Sequence, residues 1–129
     1  EARSTAYESL ESVGLVGKAN ARTDQLTMSD RKMLEVAKAL STRPKLLLLD
    51  EVMAGLRPTE AVSVVQVLRK LAESGLTILL VEHVMRIVME VASTVVVLHH
   101  GAKIAEGCPK DVVADPQVLE SYLGAGFHA

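Results

Sequence analysis

A chain of 129 residues with a formal net charge of -2 and no block of Lys or Arg gives nucleic acid no electrostatic hold. Its single cysteine, Cys108, excludes an internal disulfide and fits a reducing compartment. Hydrophobic residues make up 49% but aromatics only 2%, so the core of this one domain's length of chain must be aliphatic. No apolar run approaches the ~20 residues of a membrane span, and the polar start Glu1-Ala2-Arg3-Ser4 carries no signal-peptide pattern.

Ala6, Leu10 and Val13 recur at helical spacing over 4–13, and Gly14 stops the run. Residues 15–26 read as a connector. Thr27-Met28-Ser29-Asp30 has the form of a capping box, and Met33, Leu34, Val36, Ala37 and Leu40 then predict a helix ending before Pro44. Leu46-Leu47-Leu48-Leu49, followed by Asp50 and Glu51, predicts a buried parallel strand over 45–50 that delivers two carboxylates to its C-terminal edge. Ligands bind at that edge in open α/β sheets.

Pro58 opens a helix with Val62, Val65, Leu68 and Leu71 as its stripe and Gly75 as its cap. A second strand over 76–81 brings His83 to what should be the same edge. Residues 84–92 read as a short helix with Met85, Val88, Met89 and Ala92 at mixed helical spacing. Residues 94–99 and 102–106 read as a hairpin around His100-Gly101, and short helices follow at 109–114 and 116–123. The expected fold is α/β, a mostly parallel sheet with flanking helices, a C-terminal hairpin and short helices. The first 26 residues lack a strand signal and fit a separate helical subdomain, set apart from 27–129.

Two acids and an imidazole at neighbouring strand ends suggest metal–nucleotide chemistry. Each alone has a plainer reading, since acid pairs are common in turns and a lone histidine is usually structural. No Gly-x-x-x-x-Gly-Lys-Ser/Thr phosphate loop occurs in the chain. His99-His100 lacks a third ligand at suitable spacing and reads as the hairpin turn. Cys108 has no base near it in sequence, and Met53, Met85 and Met89 read as core filler.

Leu46 to Glu51 resembles the Walker B strand of ATP-binding cassette (ABC) ATPases, Ala54-Gly55-Leu56-Arg57-Pro58-Thr59-Glu60 their D-loop and next helix, and His83 their switch histidine. The phrases Arg43-Pro44-Lys45-Leu46, Val81-Glu82-His83, Lys103-Ile104-Ala105-Glu106-Gly107 and Asp115-Pro116 with Tyr122-Leu123-Gly124 are similar to those of the ATPase subunits of branched-chain amino acid importers. The resemblance covers nearly the whole chain in family order. It implies Asp50 as the carboxylate near Mg²⁺, Glu51 as general base, and His83 as the group that contacts the γ-phosphate or the attacking water. It also implies nucleotide contacts from the D-loop residues Ala54, Gly55 and Leu56, and from the signature Leu26, Thr27, Met28, Ser29 and Asp30.

The signature departs from the family. Met28 and Ser29 stand where it has two glycines, and Asp30 where it has glutamine. An added carboxylate repels phosphate unless it turns away as a cap, so an ordinary capped helix and a phosphate site stand level here. Arg57 replaces the short acidic or amide residue that would cap the next helix.

By resemblance the chain is the C-terminal part of an ATP-hydrolysing importer subunit, opening within its helical subdomain. That subunit uses ATP and Mg²⁺, pairs with a second ABC ATPase subunit as a homo- or heterodimer, and lies at the cytoplasmic face of the membrane on permease subunits. Without the phosphate loop the chain itself should not turn over ATP. The alternative is a non-catalytic module that docks on a complete subunit or self-associates. An unrelated α/β domain is the third reading. The strand that would lie between 76–81 and 94–99 in the family is absent, so these two should pair directly, or the slot should be filled by self-association.

Overall fold

Pro, Gly and the capping residues punctuate the chain where its sequence places them. In the computed structural model, which describes residues 1–123, the elements run α1 (Ala2–Ser12), α2 (Met28–Leu40), β1 (Leu46–Asp50), α3 (Pro58–Glu73), β2 (Thr77–Val81), α4 (Met85–Val91), β3 (Val95–His99), β4 (Ala102–Gly107), α5 (Pro109–Ala114) and α6 (Pro116–Leu123). Single 3₁₀ turns at Val16–Lys18 and Thr23–Gln25 form the connector. The chain divides into two units at the His83–Val84 bond.

In the first unit β1 and β2 pair in parallel, with Leu46 opposite Thr77 and Asp50 opposite Val81. The helix between them, α3, is the crossover that a parallel pair requires. Leu47 and Leu49 point into a core shared with Met33, Val36 and Ala37 of α2 and Val64, Val65, Leu68 and Leu71 of α3. The four-leucine run is therefore not buried on both faces as expected. Leu46 is 50% exposed, Leu48 64%, Leu79 57% and Val81 55%, so one face of the sheet is bare and apolar. The stripe of α3 is also shifted: Val64 is 1% exposed while Val62 is 41% exposed.

The second unit is a hairpin with helices. β3 and β4 pair antiparallel, with His99 opposite Ala102 and a bulge at Val97/Leu98. That pairing leaves His100-Gly101 as a two-residue loop. Both residues have positive φ, +48° and +79°, the requirement of a type I′ turn. Ile87, Val112 and Val118 are its buried residues, and Met89 lies exposed rather than in a core. Among the described residues β2 pairs with β1 and β3 with β4, so the direct pairing expected between 76–81 and 94–99 is not found there.

Candidate functional site

The edge of the parallel pair collects the acids and the imidazole. β1 ends at Asp50, and Glu51 turns the chain with φ +46°, a left-handed conformation unusual outside glycine. That turn costs on the order of 1 kcal/mol. It is held from both sides: the Glu51 N–H donates to the Val81 carbonyl at 2.9 Å, and the Ala54 N–H donates to the Glu51 carbonyl at 2.9 Å. The side chain then meets His83, with Oε1 3.1 Å from Nδ1. An ionised carboxylate only accepts, so in this contact Nδ1 is the donor. Both side chains stay open to solvent, His83 at 69% and Glu51 at 52%.

Neighbouring groups fix this turn. Glu82 reaches back so that Oε1 accepts the Met53 N–H at 3.2 Å, and Val52 and Met53 are buried beneath. Glu82 thus ties the end of β2 to the loop after β1. Its role is not visible in the sequence, where it is one more acid before a histidine. Asp50 is exposed, and its carboxylate takes no hydrogen bond or ion pair among the described residues. No group of three or more His, Cys, Asp or Glu able to hold a metal occurs among those residues. One open carboxylate does not make an all-protein cage. It does fit Mg²⁺, which keeps most of its shell as water and phosphate.

A second group of expected residues lies at the N-terminus of α2. Thr27 is the N-cap: its hydroxyl accepts the Asp30 N–H at 3.1 Å, and the Asp30 carboxylate accepts the Thr27 N–H at 3.0 Å. The Lys18 ammonium lies 2.6 Å from the same carboxylate oxygen. Burial pushes the Asp30 carboxyl up. Hydrogen bonds from Lys18, the Thr27 backbone and the Thr27 hydroxyl, with the Lys18 charge, outweigh it and hold the group below its ordinary value.

Met28 is 55% exposed, and its sulfur would stand 3.1 Å from a Cβ built on Gly55, which has φ +79°. The segments 26–30 and 54–56 thus meet at Met28 and Gly55, where an added Cβ would need the thioether to give by a few tenths of an ångström. Arg57 cannot cap α3, and Glu60 does so from the third helical position. Its carboxylate accepts the Arg57 N–H at 2.9 Å and the guanidinium at 3.2 Å. The expected loss of a cap at Arg57 is compensated from within the helix.

In the second unit, Cys108 precedes Pro109 at the start of α5 and its thiol donates to Asp111 at 3.0 Å. His99 and His100 stack edge to face at the hairpin turn.

The chain is similar to known proteins in sequence and in fold. A family profile described as "Branched-chain amino acid ATP-binding cassette transporter" matches residues 102–128. The high-affinity branched-chain amino acid transport ATP-binding protein BraF of Pseudomonas aeruginosa is 38% identical over 96% of this chain and 49% of its own length. LivG of Escherichia coli, of the same description, is 36% identical over 96% and 49%. Among solved structures, the ADP conformation of MJ1267, an ATP-binding cassette of an ABC transporter, matches with a TM-score of 0.88 and 32% identity, covering 96% of this chain and 50% of that one. The chain spans about half the length of the curated relatives it matches.

Proposed function

For a chain related in sequence and in fold to the ATP-binding proteins of ABC transporters, we propose that residues 1–129 supply the hydrolytic edge of such an ATPase, in an importer for branched-chain amino acids. The observation that carries this is the Glu51–His83 contact at the shared edge of β1 and β2. Glu51 orients the attacking water and takes its proton. His83, oriented by Glu51 through Nδ1, faces the phosphate being lost. Asp50 holds Mg²⁺, which when bound neutralises phosphate charge. Ala54, Gly55 and Leu56 line the turn that follows and border the nucleotide. Phosphoryl transfer demands little covalent work from the protein, so convergence of these polar groups is the greater part of the chemistry.

The phosphate cradle must come from chain outside these 129 residues, since no glycine-rich lysine loop lies within them. Partners follow from the same reading: a second ATPase subunit, and permease subunits that hold the protein at the inner face of the membrane. No helix of the described residues is long and apolar enough to cross a membrane by itself.

The test is turnover in a polypeptide that joins residues 1–129 to a phosphate-binding segment. Glu51→Gln should lower phosphate release by roughly 10²–10⁴-fold, the usual worth of a general base. The 129-residue chain alone should release none. Wild-type turnover in the Glu51→Gln protein would remove the assignment.

A further inference from the structure

The N-terminus of α2 does not fit the phosphate that the family resemblance places there. An α-helix of this length opens with unpaired N–H groups and a partial positive charge equivalent to about half a unit. A phosphate would need those groups. Here two of those groups are already answered: the Asp30 N–H donates to the Thr27 hydroxyl and the Thr27 N–H to the Asp30 carboxylate. The Asp30 carboxylate is turned inward, only 13% exposed, and its Oδ2 also takes the Lys18 ammonium from the 3₁₀ turn before it. Met28, on the same turn, stands where the family resemblance has a glycine and lies against Gly55 of the loop after β1.

We infer that Asp30 is a built-in anion that occupies the N-terminus of α2 in place of a ligand phosphate, and that Lys18 clasps it there from outside the helix. The positive end of the helix and the Lys18 charge are both spent on one carboxylate. A phosphate brought to the same turn meets that carboxylate as a like charge. Arg57 does not relieve this, because its guanidinium is held by Glu60. The segment 26–30 is thus a clasp that pins the connector to α2.

The experiment follows the backbone amide signals of Met28, Ser29 and Asp30 in the 129-residue chain by NMR as inorganic phosphate is added. The wild-type chain should show no saturable shift at millimolar phosphate. Asp30→Asn keeps a good capping side chain and removes the charge, so it should bind phosphate at these amides at least roughly tenfold more tightly. Equal saturable binding by both chains would overturn the inference, and so would absence of binding in both.

A second measurement does not depend on that variant folding. The Asp30 side-chain carboxyl signal, followed against pH, should titrate below the ordinary aspartate range in the wild-type chain and move up in Lys18→Met. A carboxyl that titrates in the ordinary range, unmoved by Lys18→Met, would overturn the clasp. Glu51→Gln should alter none of these readouts.

Discussion

Glu51 and Gly55 both hold positive φ within one short loop, but only one of them is glycine. Strain at a non-glycine residue needs support, and here two backbone hydrogen bonds and the His83 contact supply it. At Gly55 the support is space. Gly55→Ala should cost about 1–2 kcal/mol in urea denaturation, from the backbone conformation and from the approach of Met28. The double variant Met28→Ala, Gly55→Ala should recover the steric share and leave the conformational share, giving a non-zero coupling. The sequence displayed Asp50, Glu51 and His83 because each ends an apolar run. It hid Glu82 and Lys18, since pairing across 29 and 12 positions follows from the tertiary fold rather than from local pattern.

Helices and strands were legible at the level of the element for a related reason: apolar periodicity and punctuation by Pro and Gly act locally. What four consecutive leucines cannot reveal is which strand face is covered, because a continuous run has no alternation to read. The structure separates them, and the consequence is measurable. Leu47→Ala, at 4% exposure, should cost about 2–5 kcal/mol, whereas Leu48→Ala, at 64%, should cost under about 1 kcal/mol. The cap of α3 gives a second test. The Arg57 guanidinium and backbone N–H hold the Glu60 carboxyl below its ordinary value. A folded-state value lower than the unfolded one adds stability that is complete above the unfolded value and is lost as pH falls through the folded one. Between about pH 5 and pH 3 the urea midpoint of the wild-type chain should therefore fall more steeply than that of Glu60→Gln. Parallel pH profiles for the two chains would show that the cap contributes nothing.

At the scale of the whole molecule, the bare face of the first unit decides how 129 residues behave alone. Leu46, Leu48, Leu79 and Val81 stand half or more exposed on a two-stranded sheet, and neither strand has a further partner among the described residues. Two strands with open edges seldom persist unaided, and open edges recruit further strands. A contiguous apolar patch of this kind is a surface made for contact. The relatives carry about as much chain again as is aligned here, so in those proteins there is polypeptide available to cover such a face. In the 129-residue chain by itself the nearest substitute is a second copy. Sedimentation over a range of low concentrations should therefore show a concentration-dependent dimer or larger species. Leu48→Lys with Leu79→Lys should shift it toward monomer while leaving the helical signal intact, because those side chains contribute little to the core of one copy. Lysine on an exposed strand face also blocks edge-to-edge pairing. A chain that is monomeric at every concentration, with or without the two lysines, would show that the exposed leucines tolerate water and that the sheet needs no cover.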